Sequence, residues 1–136
     1  MKQIKKRATG ERFAVKILKK AKMSIADKET LEREIFILRQ IDHPNIVRLI
    51  DTYEDEKHFC LVLELMLGGE LFDKILATAQ FSEHDARNCT VALIDAIRYC
   101  HGLGIVHRDI KPENLLLLSD ELGLSYLKVG DFGLAR

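Results

Sequence analysis

The sequence predicts an α+β fold of two lobes, an antiparallel β lobe carrying one helix and then a mainly helical lobe. Three observations carry that prediction. Before Gly68-Gly69 the residues alternate with the period of strands, apart from one helical stretch; after it the pattern turns helical. The glycine pair is the clearest punctuation in the chain. Basic residues are in excess before it and acidic residues after it, which suggests a cleft between two unlike lobes.

The elements follow in order. Glu11 to Leu18 alternates as a strand, with Phe13, Val15 and Ile17 on one face and Arg12, Ala14 and Lys16 on the other. Asp27 to Ile41 reads as a helix, because Leu31, Ile35 and Leu38 recur at helical spacing among dispersed glutamates. His43-Pro44-Asn45 stops it. Ile46 to Tyr53 and His58 to Leu65 read as two strands around a turn of charged residues. Glu70 to Ala77 is a short helix. Ser82 begins a long one, with Asp85 three residues on as an imperfect capping box. Its apolar stripe is Ala86, Cys89, Leu93, Ile97 and Cys100, and Gly102 and Gly104 end it. Leu115 to Leu118 and Tyr126 to Val129 read as a hairpin across Ser119 to Ser125.

Composition excludes several function classes. The 136 residues suit one domain or part of one, and 47% hydrophobic with 31% charged residues argues against disorder. Lys plus Arg equals Asp plus Glu at 21 each, unlike the basic excess of a general nucleic-acid binder. The apolar stretch Leu61 to Leu67 contains Glu64 and is far too short to span a bilayer. The basic Lys2, Lys5, Lys6 and Arg7 lead into Thr9-Gly10-Glu11-Arg12 rather than an apolar segment, so no secretory signal is readable. Cys60, Cys89 and Cys100 form no Cys-x-x-Cys and read as small buried hydrophobes in a reducing compartment, cytoplasmic or nuclear.

Three segments carry chemistry. His107-Arg108-Asp109-Ile110-Lys111-Pro112-Glu113-Asn114 packs two carboxylates, titratable and basic groups and an amide into eight residues. A loop so polar beside an apolar helix is costly unless its groups bind one another or a ligand. Gly130-Asp131-Phe132-Gly133 offers an acidic residue with unusual backbone freedom, suited to a metal ligand. Lys16, inside a strand beside the small Ala14, needs either an exposed face or a buried anionic partner.

Together these segments resemble the signature set of protein kinases. Phe13-Ala14-Val15-Lys16 resembles the strand-lysine motif, and Glu34 the helix glutamate paired with it. His107 to Asn114 is similar to the catalytic loop and Asp131-Phe132-Gly133 to the metal-binding triplet. Lys111-Pro112 resembles the serine/threonine branch. Gly68-Gly69-Glu70-Leu71-Phe72 and His43-Pro44-Asn45-Ile46-Val47 are most similar to the calcium/calmodulin-dependent group.

The resemblance implies a partial protein-kinase-like fold, with an N-lobe over 1–66 and the start of a C-lobe over 67–136. Only Gly10 stands where the Gly-rich loop would precede Lys16, and neither an activation segment nor an A-P-E motif follows Gly133. It further implies that later helices cover the stripe of the Ser82 to Gly102 helix, which would otherwise face water.

The implied function is transfer of the γ-phosphoryl of Mg-ATP to a protein Ser/Thr hydroxyl. An inactive kinase-like binding or regulatory module is the alternative. Lys16 would hold the α- and β-phosphates, oriented by Glu34, and Asp109 would accept the proton of the substrate hydroxyl. Lys111 would neutralise charge on the transferred group, and Asn114 and Asp131 would bind Mg²⁺. Backbone groups of Glu64 and Met66 would pair with adenine between Ala14, Val47, Leu63 and Leu116. Glu70 and Glu113 would contact the ribose and basic residues N-terminal to the phosphorylation site. Leu38, Leu49, His107 and Phe132 would form a stacked spine, and Arg108 would receive a phosphorylated residue. Partners would be protein substrates, not nucleic acid or membrane, with calmodulin implied by analogy alone.

Overall fold

The computed structural model describes residues 1–77, 80–119 and 122–136. Four strands, β1 (Lys2–Lys5), β2 (Arg12–Lys19), β3 (Leu49–Glu54) and β4 (His58–Leu63), form an antiparallel sheet in the order β1-β2-β4-β3. Helix α1 (Ile25–Leu38) lies between β2 and β3 in the chain. Helices α2 (Leu71–Ala77) and α3 (Glu83–Gly102) follow, then a small hairpin of β5 (Leu115–Leu117) and β6 (Leu127–Val129). This is the α+β arrangement expected, a β lobe with one helix and then a helical lobe.

Several boundaries and faces differ from the sequence reading, each for a local reason. In β2, Ala14 and Lys16 line the space between the lobes, and the two faces expected from the alternation are both partly covered. Ala14 and Val15 are both buried, whereas Ile17 is 43% exposed. Helix α1 starts two residues early because Ser24 caps it, its hydroxyl accepting the Asp27 N–H while the Asp27 carboxylate accepts the Ser24 N–H. It ends at Leu38, before the proline signal, and its inward face is Leu31, Glu34, Ile37 and Leu38 rather than one centred on Ile35.

β3 begins only at Leu49. Ile46 and Val47 turn instead toward β6, where the Val47 N–H donates to the Val129 carbonyl and the Val129 N–H to the Asn45 carbonyl, at 2.9 and 2.8 Å. Tyr126 belongs to a 3-10 turn ahead of β6, not to the strand. The middle of the Ser119 to Ser125 connection lies outside the described residues.

Helix α3 carries the complete reciprocal Ser82/Asp85 capping box that the sequence showed only as an imperfect one. Its expected exposed stripe is in fact the packed one. Cys89, Ala92, Ala96 and Cys100 are buried against the hairpin and the end of α1, with Leu93 partly buried beside them. Small side chains let the helix approach closely, and the apolar residues left facing water are Val91 and Ile94 on the opposite face. Burial pushes the thiols of Cys89 and Cys100 up, and all three cysteines are free.

One core joins the two lobes. Ile37, Leu38, Ile41 and Ile46 from the β lobe meet Leu71, the α3 face, Leu115, Leu117, Leu127, Val129 and Phe132. A polar anchor fixes the same junction: His43 Nδ1 accepts the Asn45 N–H, so its Nε2–H donates to Asp95 of α3, and the Tyr99 hydroxyl accepts the Asp42 N–H. Among the described residues no helix is long and apolar enough to cross a membrane.

Candidate active site

Between the lobes lies a cleft of about 520 Å³, within the range of small-molecule sites. Its upper wall comes from β2. Side chains alternate along a strand, so Ala14 and Lys16 share one face, and the register sets Ala14 opposite Leu63 and Lys16 opposite Leu61. Glu34 points from the buried side of α1 to meet Lys16. The Lys16 ammonium donates to both Glu34 oxygens, at 3.1 and 3.3 Å, and the Glu34 side chain is only 8% exposed. This is the anionic partner that a lysine within an apolar strand required.

The back wall is the connection from β4 to α2. Glu64 donates its N–H to the Arg48 carbonyl at 2.9 Å. The Leu67 and Gly68 N–H groups donate to the carbonyls of Leu118 and Leu117, both at 3.0 Å. Gly68 is needed there because a Cβ would stand 2.7 Å from Leu117 Cβ and 2.9 Å from the Ser119 backbone. Gly69 follows with φ +67°, a left-handed turn natural to glycine. Val47 and Leu116 complete the apolar lining, to which Met66, Glu70 and Glu113 also contribute.

The floor is built from two polar loops tied to each other. His107 Nδ1 accepts the Asp109 N–H, so its Nε2–H donates to the Gly130 carbonyl at 2.9 Å. The Gly130 N–H in turn donates to the Asn114 carbonyl, also at 2.9 Å. The buried His107 ring meets Phe132 edge-on with centroids 4.5 Å apart, and Leu38 and Leu49 pack into the same core. His107 is thus fully engaged in packing and hydrogen bonding. Both loops hold a non-glycine residue at positive φ, Arg108 at 65° and Asp131 at 51°. Such backbone costs on the order of 1–3 kcal/mol per residue and is sustained only by surrounding contacts.

Around these loops the charged groups are ordered. The Asn114 amide donates to the Asp109 carbonyl oxygen at 2.8 Å and to its carboxylate at 3.1 Å. Lys111 Nζ lies 2.9 Å from the same carboxylate. The Lys111 hydrogen bond, with a smaller contribution from Asn114, holds the Asp109 carboxyl below its ordinary value, and Asp109 reciprocally raises Lys111. Asp131 accepts the Gly133 N–H with one oxygen, and the other has no hydrogen-bond partner among the described residues. Arg108 donates to the Leu134 carbonyl at 2.7 Å. Burial, together with nearby Arg33 and Arg108, lowers Arg136.

Lys16, Glu34, Ala14, Val47, Leu63, Glu64, Met66, Glu70, Glu113, Asn114, Leu116 and Asp131 therefore all line one cleft. Asp109 and Lys111 do not line it; they stand beside it, bonded to each other and through Asp109 to Asn114. As a metal site, Asn114 and Asp131 offer two oxygen donors, and no cluster of three acidic, His or Cys residues exists among the described residues. That donor set fits Mg²⁺, which is commonly held by one or two carboxylates together with substrate phosphates and water.

Two residues outside the cleft lining, each holding part of its frame, escaped the sequence reading. Lys128 Nζ lies 2.9 Å from Glu64 Oε2 with 11% of its side chain exposed. The Asn45 amide donates to the carbonyls of Ser125 and Leu127, at 2.9 and 2.8 Å. The signal that singled out Lys16, a cation inside an apolar strand, is equally present in Leu127-Lys128-Val129.

Comparison with known proteins shows the family. The family model of the protein kinase domain matches residues 1–136. Calcium/calmodulin-dependent protein kinase type II of Caenorhabditis elegans is 50% identical over 129 residues, covering 95% of this chain and 18% of that protein. The protein of the same description from Caenorhabditis briggsae is 49% identical over 129 residues, covering 95% and 24%. The type II alpha chain of Drosophila melanogaster is 45% identical over 135 residues, covering 99% and 25%. The chain spans about a quarter or less of the length of these curated relatives.

Proposed function

The chain belongs to the protein kinase domain family and is similar to its calcium/calmodulin-dependent serine/threonine members, and from that premise we propose that it serves transfer of the γ-phosphoryl group of ATP to a protein Ser/Thr hydroxyl. The observation that carries this reading is convergence: the Lys16–Glu34 pair and the Asp109–Asn114–Asp131 loops, distant in sequence, meet at one cleft.

The residues divide the work as follows. Lys16, held by both oxygens of Glu34, presents a fixed cation to the α- and β-phosphates rather than a mobile one. Ala14, Val47, Leu63 and Leu116 enclose the base, and the backbone of Glu64 and Met66 pairs with its edge. Asn114 and Asp131 hold Mg²⁺, which supplies charge neutralisation of the phosphates when bound. Asp109, kept as a carboxylate by Lys111 and Asn114, orients the attacking hydroxyl and accepts its proton. Lys111, within reach of the same carboxylate, balances charge on the group in transit. Glu70 and Glu113, both in the cleft lining, suit a ribose and basic residues ahead of the phosphorylated Ser/Thr. Arg108, which like Arg33 lies near Arg136, suits a phosphorylated residue of an activation segment. Residues 1–66 act as the N-lobe and 67–136 as the start of the C-lobe. We place the chain in the cytoplasm, with nuclear residence as the alternative, acting on protein substrates and, by analogy with its relatives, under calmodulin.

The test is incubation of the purified chain with Mg·ATP and a peptide array varying the residues N-terminal to Ser/Thr. Transfer favouring Arg or Lys upstream, lowered about 10²–10⁴-fold by Asp109→Asn with nucleotide binding retained, is expected. Nucleotide binding absent from the unsubstituted chain contradicts the reading.

A further inference from the structure

Lys128 occupies β6 between Leu127 and Val129, and all three residues are buried. Because side chains alternate along a strand, the lysine leaves β6 on the face opposite its two apolar neighbours. Across the ladder it pairs with Leu116, which lines the cleft. Its ammonium reaches Glu64 Oε2 at 2.9 Å. The same oxygen accepts the Arg48 N–H at 3.3 Å, and the Arg48 carbonyl accepts the Glu64 N–H at 2.9 Å. Glu64 is therefore held at both its side chain and its N–H. Its carbonyl accepts no hydrogen bond among the described residues and is the backbone group left for a ligand.

We propose that Lys128 is a positioning residue for the nucleotide base: through the Glu64 carboxylate it fixes the peptide whose carbonyl accepts the exocyclic amine of adenine. This rests on the nucleotide reading of the cleft and deepens it. A buried cation with one anionic partner is a costly way to fill space, since an apolar side chain of similar length packs there without desolvation. What the ion pair adds is direction. It ties the first residue after β4 to the hairpin that carries the cleft floor, so the base is met by a carbonyl already in place. A lysine that merely stabilises the hairpin has no reason to distinguish one purine from another.

The experiment measures binding of two nucleotides to the chain by calorimetry: ATP, and purine riboside triphosphate, which lacks the 6-amino group. Lys128→Met is expected to weaken ATP about tenfold, roughly one well-placed hydrogen bond, while leaving the desamino nucleotide within about twofold of the unsubstituted chain. Lys128→Arg is expected to recover most of the ATP affinity. Equal weakening of both nucleotides, or none, overturns the proposal while leaving the nucleotide reading intact. An unsubstituted chain that binds neither nucleotide overturns both. If circular dichroism shows Lys128→Met to be unfolded, Glu64→Gln, which keeps the shape and loses the charge, is measured instead against the same expectation.

Discussion

The Lys16 ammonium sits between the two oxygens of Glu34, at 3.1 and 3.3 Å, joining β2 to α1 across the top of the cleft. The pair is unequal: 31% of the Lys16 side chain is exposed but only 8% of that of Glu34. Breaking a buried pair from one side costs about 3–5 kcal/mol, and the exposure of Lys16 reduces that to roughly 1–3 kcal/mol. Lys16→Met strands a buried carboxylate, whereas Glu34→Gln leaves a hydrogen-bonding amide. Denaturant melts are therefore expected to show Lys16→Met as the more destabilising change, and binding assays to show weaker ATP affinity in both.

A second expectation concerns Asp109. A positioned base contributes about 10²–10⁴-fold to a proton-coupled step. Asp109 stands beside the cleft and not in its lining. Asp109→Asn is thus expected to lower phosphoryl transfer by that factor, with ATP affinity changed no more than about twofold. An equal loss in both measurements would assign Asp109 to binding.

The carboxyl of Asp109 also sets a pH dependence. Lys111, and to a lesser extent Asn114, hold it below the ordinary 3.8. The sign follows: the folded state favours the ionised form, so its contribution to stability is present above 3.8 and is lost as pH falls through the lower folded value. NMR titration of the Asp109 carboxyl is expected to show a midpoint under 3.8 that rises toward it in Lys111→Met. A midpoint unmoved by that substitution would contradict the assignment.

Two packing and capping predictions follow from β5 and α3. A methyl at Gly68 would meet Leu117 Cβ at 2.7 Å and the Ser119 carbonyl carbon at 2.9 Å. Gly68→Ala is expected to cost roughly 1–3 kcal/mol as overpacking. Ser82→Ala removes the hydroxyl that accepts the Asp85 N–H at 3.1 Å and is expected to cost about 1 kcal/mol. Thermal denaturation separates both from unsubstituted stability.

Much of this structure was legible in the sequence because its signals are local. Strand alternation around Lys16, the glycine pair at 68–69 and the polar loop from His107 to Asn114 each announce themselves within a few residues. What was not legible depends on partners far along the chain. Ile46 and Val47 look like the start of β3, yet β6, some 80 residues on, claims their backbone. The α3 face was legible in part: Cys89 and Cys100 belong to it as expected, whereas the small Ala92 and Ala96 that also carry the contact give little periodic signal. Lys128 carries the same local signal as Lys16, but its partner Glu64 comes from a distant part of the chain.

The most direct test of the central claim, that Asn114 and Asp131 share a metal-bound nucleotide with Lys16, is calorimetric titration of ATP with and without Mg²⁺. The unsubstituted chain is expected to bind ATP at least about tenfold more tightly with Mg²⁺, and the Asn114→Ala/Asp131→Ala variant to lose that enhancement. An enhancement that survives in the variant, or ATP binding indifferent to Mg²⁺ in the unsubstituted chain, would contradict it.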